Sequence, residues 1–573
     1  MRLGRRTLLA AAIVSRLMLP SPSGHQDVPV PAKKARSALT IDVDASRTSG
    51  MLPRMWAYFG YDEPNFTYSA NGKKLLKELA GLSPVPVYLR THNLLTSGDG
   101  TGSLKWGSTN FYTEDTEGRP VYDSTIVDRI FDAYQEAGTR PLVELGFMPE
   151  ALTTGPPPYR HNFPKNFATA WSYPPKDYAK WAELVFQFAK HLRERYGDGA
   201  VKTWRWEVWN EPDIFYWHGT PEEYFKLYDL SAEAVRRAIP EATIGGPDST
   251  GPGNDRAANF LRAFLDHCAH GRNYATGKTG APLDFISFHP KGSPEWVDGH
   301  VRMGMAQQLK AINAGFKIVA SFPEWRNTPI VLGENDPEGC AACSAKEHPQ
   351  NAYRNESLYG AYTMVVLQAA MDLARQDGVD LRGSVTWAFQ FDGQPYFEGL
   401  RELATNGINK PVLNAFRMLG LLGEKRLPVT SSAAIPAIQI EQEGVRGQPD
   451  VDAIAAQKEN EVEVLVVNYH DDDVSAQDIL VDLNVWGLPA NAEKIEAELY
   501  RVDATHSNSY TLWKQMGEPQ QPASDPYERL VLAGQLEREG SPESVKAVDG
   551  AVHRMFSQPR EGLSLWRFHW ERR

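Results

Sequence analysis

Cysteine is scarce in this sequence, with three residues in 573, and this scarcity excludes a disulfide-dense scaffold. Cys340 and Cys343 form a C-x-x-C pair without the strand–helix–strand context of a thioredoxin-like site. A zinc site would need two further ligands, and only His348 lies nearby in the sequence. The pair is therefore expected to be structural, either as free thiols or as a local disulfide, with metal or redox chemistry left open. No metal site and no cofactor are predicted.

A basic excess and long apolar runs are also missing. The chain has 60 Lys+Arg against 72 Asp+Glu, a net charge of −12, which argues against binding to duplex nucleic acid. Outside the N-terminus no apolar run approaches the roughly 20 residues of a membrane span, so no span is predicted. What the chain has in excess is aromatic rings, with 15 Trp, 23 Tyr and 23 Phe. Rings suit sugar ligands, although a large core accounts for most of them.

The N-terminus has the pattern of an export signal. Arg2, Arg5 and Arg6 precede an apolar stretch at 7–14, and the twin arginine resembles a twin-arginine signal. We expect a signal at 1–24, a linker rich in Pro, Ser and Lys at 25–37, and a periplasmic or extracellular protein. The alternative is a disordered basic tail.

Apolar strand-like runs alternate with helical patterns over the next 350 residues. The predicted strands are 56–60, 85–90, 141–147, 203–210, 243–246, 284–289, 329–334 and 384–389, with helices such as 178–196 and 221–238 between them. Eight such units predict an α/β fold, a (β/α)8 TIM barrel, at 50–426. A doubly wound sheet is the competing layout. It is disfavoured for dinucleotide binding because no G-x-G-x-x-G follows the first strand.

The pattern changes after residue 426 to short alternating runs, typical of a β-sandwich. Strands are predicted at 437–440, 461–469, 479–485, 495–501 and 563–570, with 427–436 as a linker. We assign 427–573 to this accessory domain. The strand-like segment at 38–49 is expected to join it, because chain ends of such folds often meet.

Two glutamates follow predicted strands that face each other across such a barrel. Glu211 follows the fourth strand within WEVWNEPD, and Glu334 follows the seventh within PIVLGEND. Cleavage of a glycosidic bond with retention needs two carboxyl groups roughly 5 Å apart, one as acid and then base, the other as nucleophile. These roles fit Glu211 and Glu334 in that order. A structural ion pair is the alternative for each, and Asp336 and Glu338 are expected in the loop beyond the strand.

Further candidates for sugar binding lie at other strand ends. The segments that contain them are YLRTH, WNEP, SFHPK and VTWAF, and the residues are Arg90, His92, Asn210, His289 and Trp387. An amide beside the acid suits a sugar hydroxyl, and a tryptophan at a barrel mouth suits the face of a pyranose. The alternatives are a turn cap for Asn210, buried ion pairs for Arg90 and His92, a core histidine for His289, and plain packing for Trp387.

These segments, together with IGGPDS, TNGINKPVLNAF and VDATHSNSYTLWKQMG, make the chain resemble glycoside hydrolase family 39 over most of 50–530. The resemblance implies retaining hydrolysis through a covalent glycosyl-enzyme, with Glu211 as acid/base and Glu334 as nucleophile. It also places His92, Asn210 and His289 around the sugar and implies no cofactor. β-Xylosidases and α-L-iduronidases are the best-known activities of this family.

Lys291 is the residue that raises the question of a uronic acid substrate. It stands in an H-x-K setting that in iduronidases of the family meets a uronate carboxylate, and the alternative is an ion pair with Glu295 or another acid. We predict an exo-acting β-xylosidase whose partner is an oligosaccharide or other glycoside, as a possible homo-oligomer. A related enzyme for uronic acid- or arabinose-containing glycans is the alternative, and a non-catalytic carbohydrate-binding protein is the second.

Overall fold

The computed structural model of the protein describes residues 38–571 apart from 168, 388 and 490–493. The predicted export signal at 1–24 and linker at 25–37 lie outside the described residues. Within the described part of the chain, no helix combines the length and the apolar character that a membrane crossing requires.

Eight parallel strands close into a barrel in the described residues, each paired with the next and the eighth with the first. They are Tyr58–Tyr61, Tyr88–Thr91, Arg140–Leu145, Arg205–Val208, Thr243–Thr250, Phe285–His289, Ile330–Leu332 and Leu381–Trp387. Their side chains are mostly buried because helices cover the outer face. The predicted (β/α)8 barrel is confirmed.

The third long helix of the barrel layer shows how a capping residue sets the start of a helix. Tyr178–Tyr196 begins after Asp177, whose carboxylate accepts hydrogen bonds from the amides of Ala179 and Lys180. Its buried face includes Trp181 and Phe188. The other helices of this layer are Ala70–Ala80, Thr125–Ala137, Pro221–Ala238, Asp255–His270, Met305–Ala320, Ser357–Asp377 and Pro411–Leu421.

The accessory domain is a sandwich of two sheets. The smaller sheet has the order Val429–Ser431, Leu39–Asp44, Ile479–Trp486, Val552–Gln558. The larger has the order Gly50–Met51, Lys425–Leu427, Asp450–Lys458, Glu461–Tyr469, Leu563–Trp570, Ile495–Val502, Glu537–Arg538, with Glu543–Val545 also on Ile495–Val502. Gly50–Met51 lies within the range predicted for the barrel and Lys425–Leu427 crosses its end at 426, and both extend the larger sheet on that side.

Shorter elements complete the described chain. The strand predicted at 437–440 is wrong, because this segment forms the helix Ala437–Glu443, and the predicted linker at 427–436 contains the strand Val429–Ser431. The remaining helices, α and 3-10, are Pro64–Phe66, Ala170–Ser172, Asp198–Val201, Pro349–Asn355, Ser509–Gln515 and Ser524–Ala533. Hairpins pair Tyr112–Glu114 with Pro120–Tyr122, Glu295–Val297 with His300–Arg302, and Ala404–Thr405 with Ile408–Asn409.

Candidate active site

Glu211 and Glu334 face the same cavity at the carboxyl ends of the fourth and seventh strands. The cavity has a volume of about 380 Å³, and both glutamates and Asn210 line it. A carboxylate oxygen of Glu211 and one of Glu334 lie within 4.8 Å of each other and of a ring nitrogen of His289. Two carboxyl groups at this spacing can act on one bond from its two sides.

The backbone around Glu211 is turned sharply to aim its side chain at the cavity. Trp209 and Glu211 both have left-handed backbones, with φ of 73° and 44°. Such conformations carry a strain of roughly 1 kcal/mol each and persist where the surroundings fix them. Here the amide of Glu211 donates to the carbonyl of Asp248 at 2.8 Å, and the indole of Trp209 donates to the carbonyl of Tyr216 at 2.9 Å.

Gly333, the residue before Glu334, stands where no side chain can be accommodated. A Cβ atom at this position would lie 2.1 Å from Asp248 Oδ1 and 2.8 Å from His289 Nε2. Only glycine therefore leaves room for the buried Asp248–His289 pair directly behind Glu334.

Arg90 is the centre of a buried charge network beneath the cavity. Its guanidinium donates to Glu334 Oε1 at 3.1 Å, to Asp248 Oδ2 at 2.7 Å and to Glu207. Glu144 Oε2 lies 2.8 Å away. Burial by itself would lower the pKa of Arg90, but these carboxylates outweigh it and raise the pKa well above its ordinary value. Arg90 is thus a permanent cation that fixes the position of Glu334.

Lys291 lies against Glu334 on another side. Its Nζ donates to Glu334 Oε2 at 2.6 Å and to Asp336 Oδ2 at 2.5 Å, and its side chain is 16% exposed. Burial alone would raise the pKa of Glu334, but Lys291 foremost, then His289, His92 and Arg90, hold it well below its ordinary value. Glu334 is therefore ionised at neutral pH, as a nucleophile must be.

His289 connects the two glutamates. Its Nδ1 is 3.0 Å from Glu211 Oε1 and 3.7 Å from Glu334 Oε1, and its Nε2 is 3.1 Å from Asp248 Oδ1. Burial would lower the pKa of His289, but Glu334 and Asp248 raise it to about 9. The ring is therefore a cation at neutral pH and lies between carboxylates.

His92 and Trp387 share one acceptor, Asp62. Asp62 Oδ1 is 3.0 Å from His92 Nδ1 and accepts from Lys105 Nζ at 2.6 Å, while Oδ2 accepts from the indole of Trp387 at 2.9 Å. The Trp387 ring is 1% exposed and packs 4.3 Å from the His92 ring between centroids. The structure thus places Trp387 in the layer beneath the cavity, and its stacking on a sugar stays a prediction.

Several charged residues of this network were missed in the sequence. They are Asp62, Lys105, Glu144, Glu207 and Asp248, of which all but Lys105 lie in or directly after barrel strands. Asp336, expected from the sequence only as a loop residue, joins the network through Lys291. Burial raises the pKa of Glu144 to about 7, against the pull of His92 and Arg90. The available signal was an acidic residue inside an otherwise apolar buried strand, as in Arg140–Leu145 and Arg205–Val208, since such a group requires a buried cation.

Cys340 and Cys343 form a disulfide beside the cavity, with Cα atoms 5.5 Å apart, and Cys340 lines the cavity. Arg354 donates to the carbonyls of Cys340 at 2.7 Å and of Cys343 at 2.6 Å. Of the alternatives left open by the sequence, the structure shows the local disulfide. Cys268 is a buried free thiol.

Comparison with known proteins identifies the family of the chain. The model of "Glycosyl hydrolases family 39" matches residues 39–548. A β-xylosidase of Caldicellulosiruptor saccharolyticus is 30% identical over 72% of this chain and 76% of its own. The human α-L-iduronidase is 26% identical over 92% of this chain and 77% of its own.

Solved structures show the same fold. A family 39 enzyme from Xanthomonas axonopodis pv. citri superposes with a TM-score of 0.72 at 20% identity, covering 95% of this chain and all of that one. A bacterial orthologue of human α-L-iduronidase gives a TM-score of 0.73 at 18% identity over 94% of this chain and 84% of its own. Since the family model spans most of the sequence, the chain belongs to the family 39 glycosyl hydrolases.

Proposed function

We propose that the protein is an exo-acting β-xylosidase that hydrolyses its substrate with retention of configuration. The observation that carries the proposal is the spacing of Glu211 and Glu334, whose nearest oxygens lie within 4.8 Å across the cavity. Retaining enzymes place their carboxyl groups roughly 5 Å apart, whereas inverting enzymes need roughly 6.5–9.5 Å to admit a water molecule.

In the proposed reaction, Glu334 attacks the anomeric carbon while Glu211 gives its proton to the glycosidic oxygen. The C–O bond to the aglycone breaks, and the aglycone leaves as an alcohol. Glu211 then takes a proton from water, which attacks the same carbon and releases Glu334 as a carboxylate. The cations around Glu334 keep it ionised before attack and receive it again after the second step.

Asn210 is suited to hold the sugar. Its Oδ1 accepts a hydrogen bond from Arg90 Nη2 at 3.1 Å, which fixes the orientation of the amide. The amide nitrogen is then the group presented as a donor to a sugar hydroxyl. The size and walls of the cavity suit one terminal sugar with its leaving group, which supports exo action.

A neutral sugar is favoured by the charges that already surround the cavity. Lys291 lies against Glu334 and Asp336, and Lys105 lies against Asp62, so both lysines have carboxylate partners within the protein. Two of the relatives are β-xylosidases, from Caldicellulosiruptor saccharolyticus and Geobacillus stearothermophilus.

A uronic acid glycoside is the second candidate. The α-L-iduronidase relatives support it, and an ammonium group has three donors, of which Lys291 uses two for Glu334 and Asp336. The partner predicted by name in the sequence, Glu295, lies in an exposed hairpin, and the acids that Lys291 meets are Glu334 and Asp336.

The test is a panel of aryl glycosides: β-xyloside, β-glucoside, β-galactoside, α-arabinoside and α-iduronide. The proposal predicts the highest kcat/KM on the β-xyloside and a first-formed product of the β-configuration by NMR. Preference for the iduronide would favour the second candidate. Sugar binding without turnover of any glycoside would mean a carbohydrate-binding protein.

We also propose that the protein is exported. The basic and apolar pattern of residues 1–24 supports this, and so does the Cys340–Cys343 disulfide, since disulfides persist mainly in oxidising compartments. Fractionation of cells that produce the full chain tests it, and retention of the protein in the cytoplasm would contradict it.

A further inference from the structure

The walls of the cavity differ in chemistry from its floor. The floor is polar, formed by Asn210, Glu211 and Glu334. One wall is aromatic and apolar, formed by Phe163, Phe167, Ile214, Phe215 and Tyr216. We call these five residues the aromatic wall. The division implies that two chemically different parts of a substrate meet the protein here.

The four rings of the aromatic wall form one connected cluster. The Phe167 ring lies 5.3 Å from Phe215 and 5.4 Å from Tyr216 between centroids, both edge to face, and 5.9 Å from Phe163. Tyr216 is buried and stacks 5.7 Å from Phe147. The cluster is therefore anchored in the core, and its outer face is preformed.

Phe215 keeps a large apolar surface in solvent. It is 47% exposed, four residues after Glu211 in the chain. Exposed aromatic surface beside a polar floor is typical of a ligand contact. Because Phe215 lies close to Glu211 in the chain, it is expected to contact the leaving group of the substrate. The acid must reach the glycosidic oxygen, so the leaving group departs along the residues next to that acid.

The leaving-group side of the cavity offers few hydrogen-bond partners among the described residues. Lys105 is a charged side chain beside the aromatic wall, with its Nζ 5.9 Å from the centre of the Phe167 ring, and this Nζ donates to Asp62 at 2.6 Å. The carbonyl of Cys340, which also lines the cavity, already accepts from Arg354 at 2.7 Å. A second sugar stacked on the aromatic wall would still place hydroxyl groups against apolar ring surface, where they lose water without replacement at a cost in affinity, whereas an aromatic ring would not.

We propose that the aromatic wall is a leaving-group subsite for aromatic aglycones, so that the enzyme acts on glycosides of phenolic or benzylic alcohols in preference to sugar–sugar linkages. This inference rests on the proposed glycosidase function and extends it from the sugar to the group that the sugar is attached to. Ring-on-ring contacts with Phe215 and Phe167 supply the binding, and Glu211 protonates the departing oxygen.

The test compares three β-xylosides with alcohol leaving groups: benzyl β-xyloside, methyl β-xyloside and xylobiose. The leaving group of each substrate departs as an alcohol, so differences in kcat/KM report binding at the leaving-group side more than intrinsic reactivity. We expect kcat/KM for the benzyl compound to exceed that for xylobiose by about tenfold or more. Equal or higher kcat/KM for xylobiose would overturn the inference.

Variants of Phe215 locate the effect. Phe215→Ala is expected to lower kcat/KM for the benzyl compound about fivefold to tenfold and to leave the methyl compound within about twofold. Phe215→Leu, which keeps apolar bulk without the ring, should fall between. Tyr274→Ala is the matched control, because Tyr274 is 50% exposed elsewhere on the surface. An equal loss on benzyl, methyl and xylobiose substrates would refute a role specific to the aglycone.

The two proposals fail in different ways. Turnover of the aryl glycosides of the panel tests the proposed function. The ratio of kcat/KM between the benzyl, methyl and xylobiose substrates tests the role of the aromatic wall. If another sugar is preferred, the same three leaving groups on that sugar give the ratio. Absence of turnover on every glycoside refutes both.

Discussion

Replacing Lys291 with methionine tests how the protein keeps Glu334 ionised. Methionine retains much of the length and apolar volume of lysine and removes its charge. The Nζ atom lies 2.6 Å from Glu334 Oε2 and 2.5 Å from Asp336 Oδ2, and no other cation is as close to Glu334 among the ion pairs of the described residues. The variant leaves two neighbouring buried carboxylates without their common partner.

The size of the effect on Glu334 can be worked out from the separation of the two charges, which is somewhat longer than the distance between the nearest atoms. Two unit charges about 4 Å apart interact by about 4 kcal/mol at an effective dielectric constant of about 20, equivalent to about three pKa units. Arg90, His92 and His289 remain near Glu334 and keep part of the effect. We therefore expect the pKa of Glu334 to rise in Lys291→Met, because the nearest of its cations is removed.

The sign of the pH effect is fixed by the direction of the shift. The pKa of Glu334 is lower in the folded protein than its ordinary value of 4.5, so its contribution to stability is present above that value and is lost as pH falls towards the folded pKa. In Lys291→Met the contribution is smaller at every pH at which it is present, and breaking the buried pair costs about 3 kcal/mol or more.

The assay is the pH profile of kcat/KM on an aryl β-xyloside, from which the acidic limb gives the pKa of the ionised nucleophile. We expect this limb to move to higher pH, with a loss of activity at neutral pH. Lys310→Met, at an exposed position of the helix Met305–Ala320, is the control and should leave the profile unchanged. An acidic limb in Lys291→Met that coincides with the wild-type limb would refute the reasoning.

Three further predictions follow from the same network. Glu211→Gln should lower kcat for xylosides of poor leaving groups about 10²- to 10⁴-fold, and a fall of less than about tenfold in initial rates would contradict the acid role. The pKa of His289 is raised to about 9, so its contribution to stability is present below its ordinary pKa of 6.5 and is lost as pH rises through 9. In Asp248→Asn, urea unfolding should show this loss at lower pH than in the wild type. Identical curves of unfolding free energy against pH would count against the pairing. Cys343→Ser should lower the unfolding free energy by at most about 2 kcal/mol, because the disulfide closes a short loop that Arg354 also holds; a loss above about 4 kcal/mol would show a larger role.

The barrel could be predicted because its strands are buried on both faces and its helices on one. The segment predicted at 178–196 is the helix Tyr178–Tyr196, whose apolar spacing and Asp177 cap both point to the same limits. The strand predicted at 284–289 is Phe285–His289. Local pattern and tertiary burial agree in these elements, so periodicity alone was sufficient.

The sandwich was harder to predict because its short segments carry little periodicity. The segment predicted as a strand at 437–440 lies in the helix Ala437–Glu443, where four apolar-leaning residues fit either structure. Val429–Ser431 lies in the segment whose composition predicts a linker, and its partner strand, Leu39–Asp44, is almost 390 residues away in sequence. Such a pairing is set by the assembled fold and leaves no local trace.

The two glutamates that face the cavity could be picked out from the strand ends, but the charge network beneath them could not. Glu211 and Glu334 follow their strands directly and face the cavity. The partners of Arg90, by contrast, come from the third, fourth, fifth and seventh strands. A single sequence shows that each acid is isolated in an apolar run but does not show which cation it meets, since that depends on barrel register.

The identity of the nucleophile is the central claim, and a 2-fluoro-2-deoxy-β-xyloside with a reactive leaving group tests it most directly. The fluorine slows both steps, so a covalent glycosyl-enzyme accumulates and can be located by proteolysis and mass spectrometry. We predict a single label on Glu334 and none in Glu334→Gln. A label on Glu211, Asp336 or Glu338, or hydrolysis without any trapped intermediate, would contradict the account.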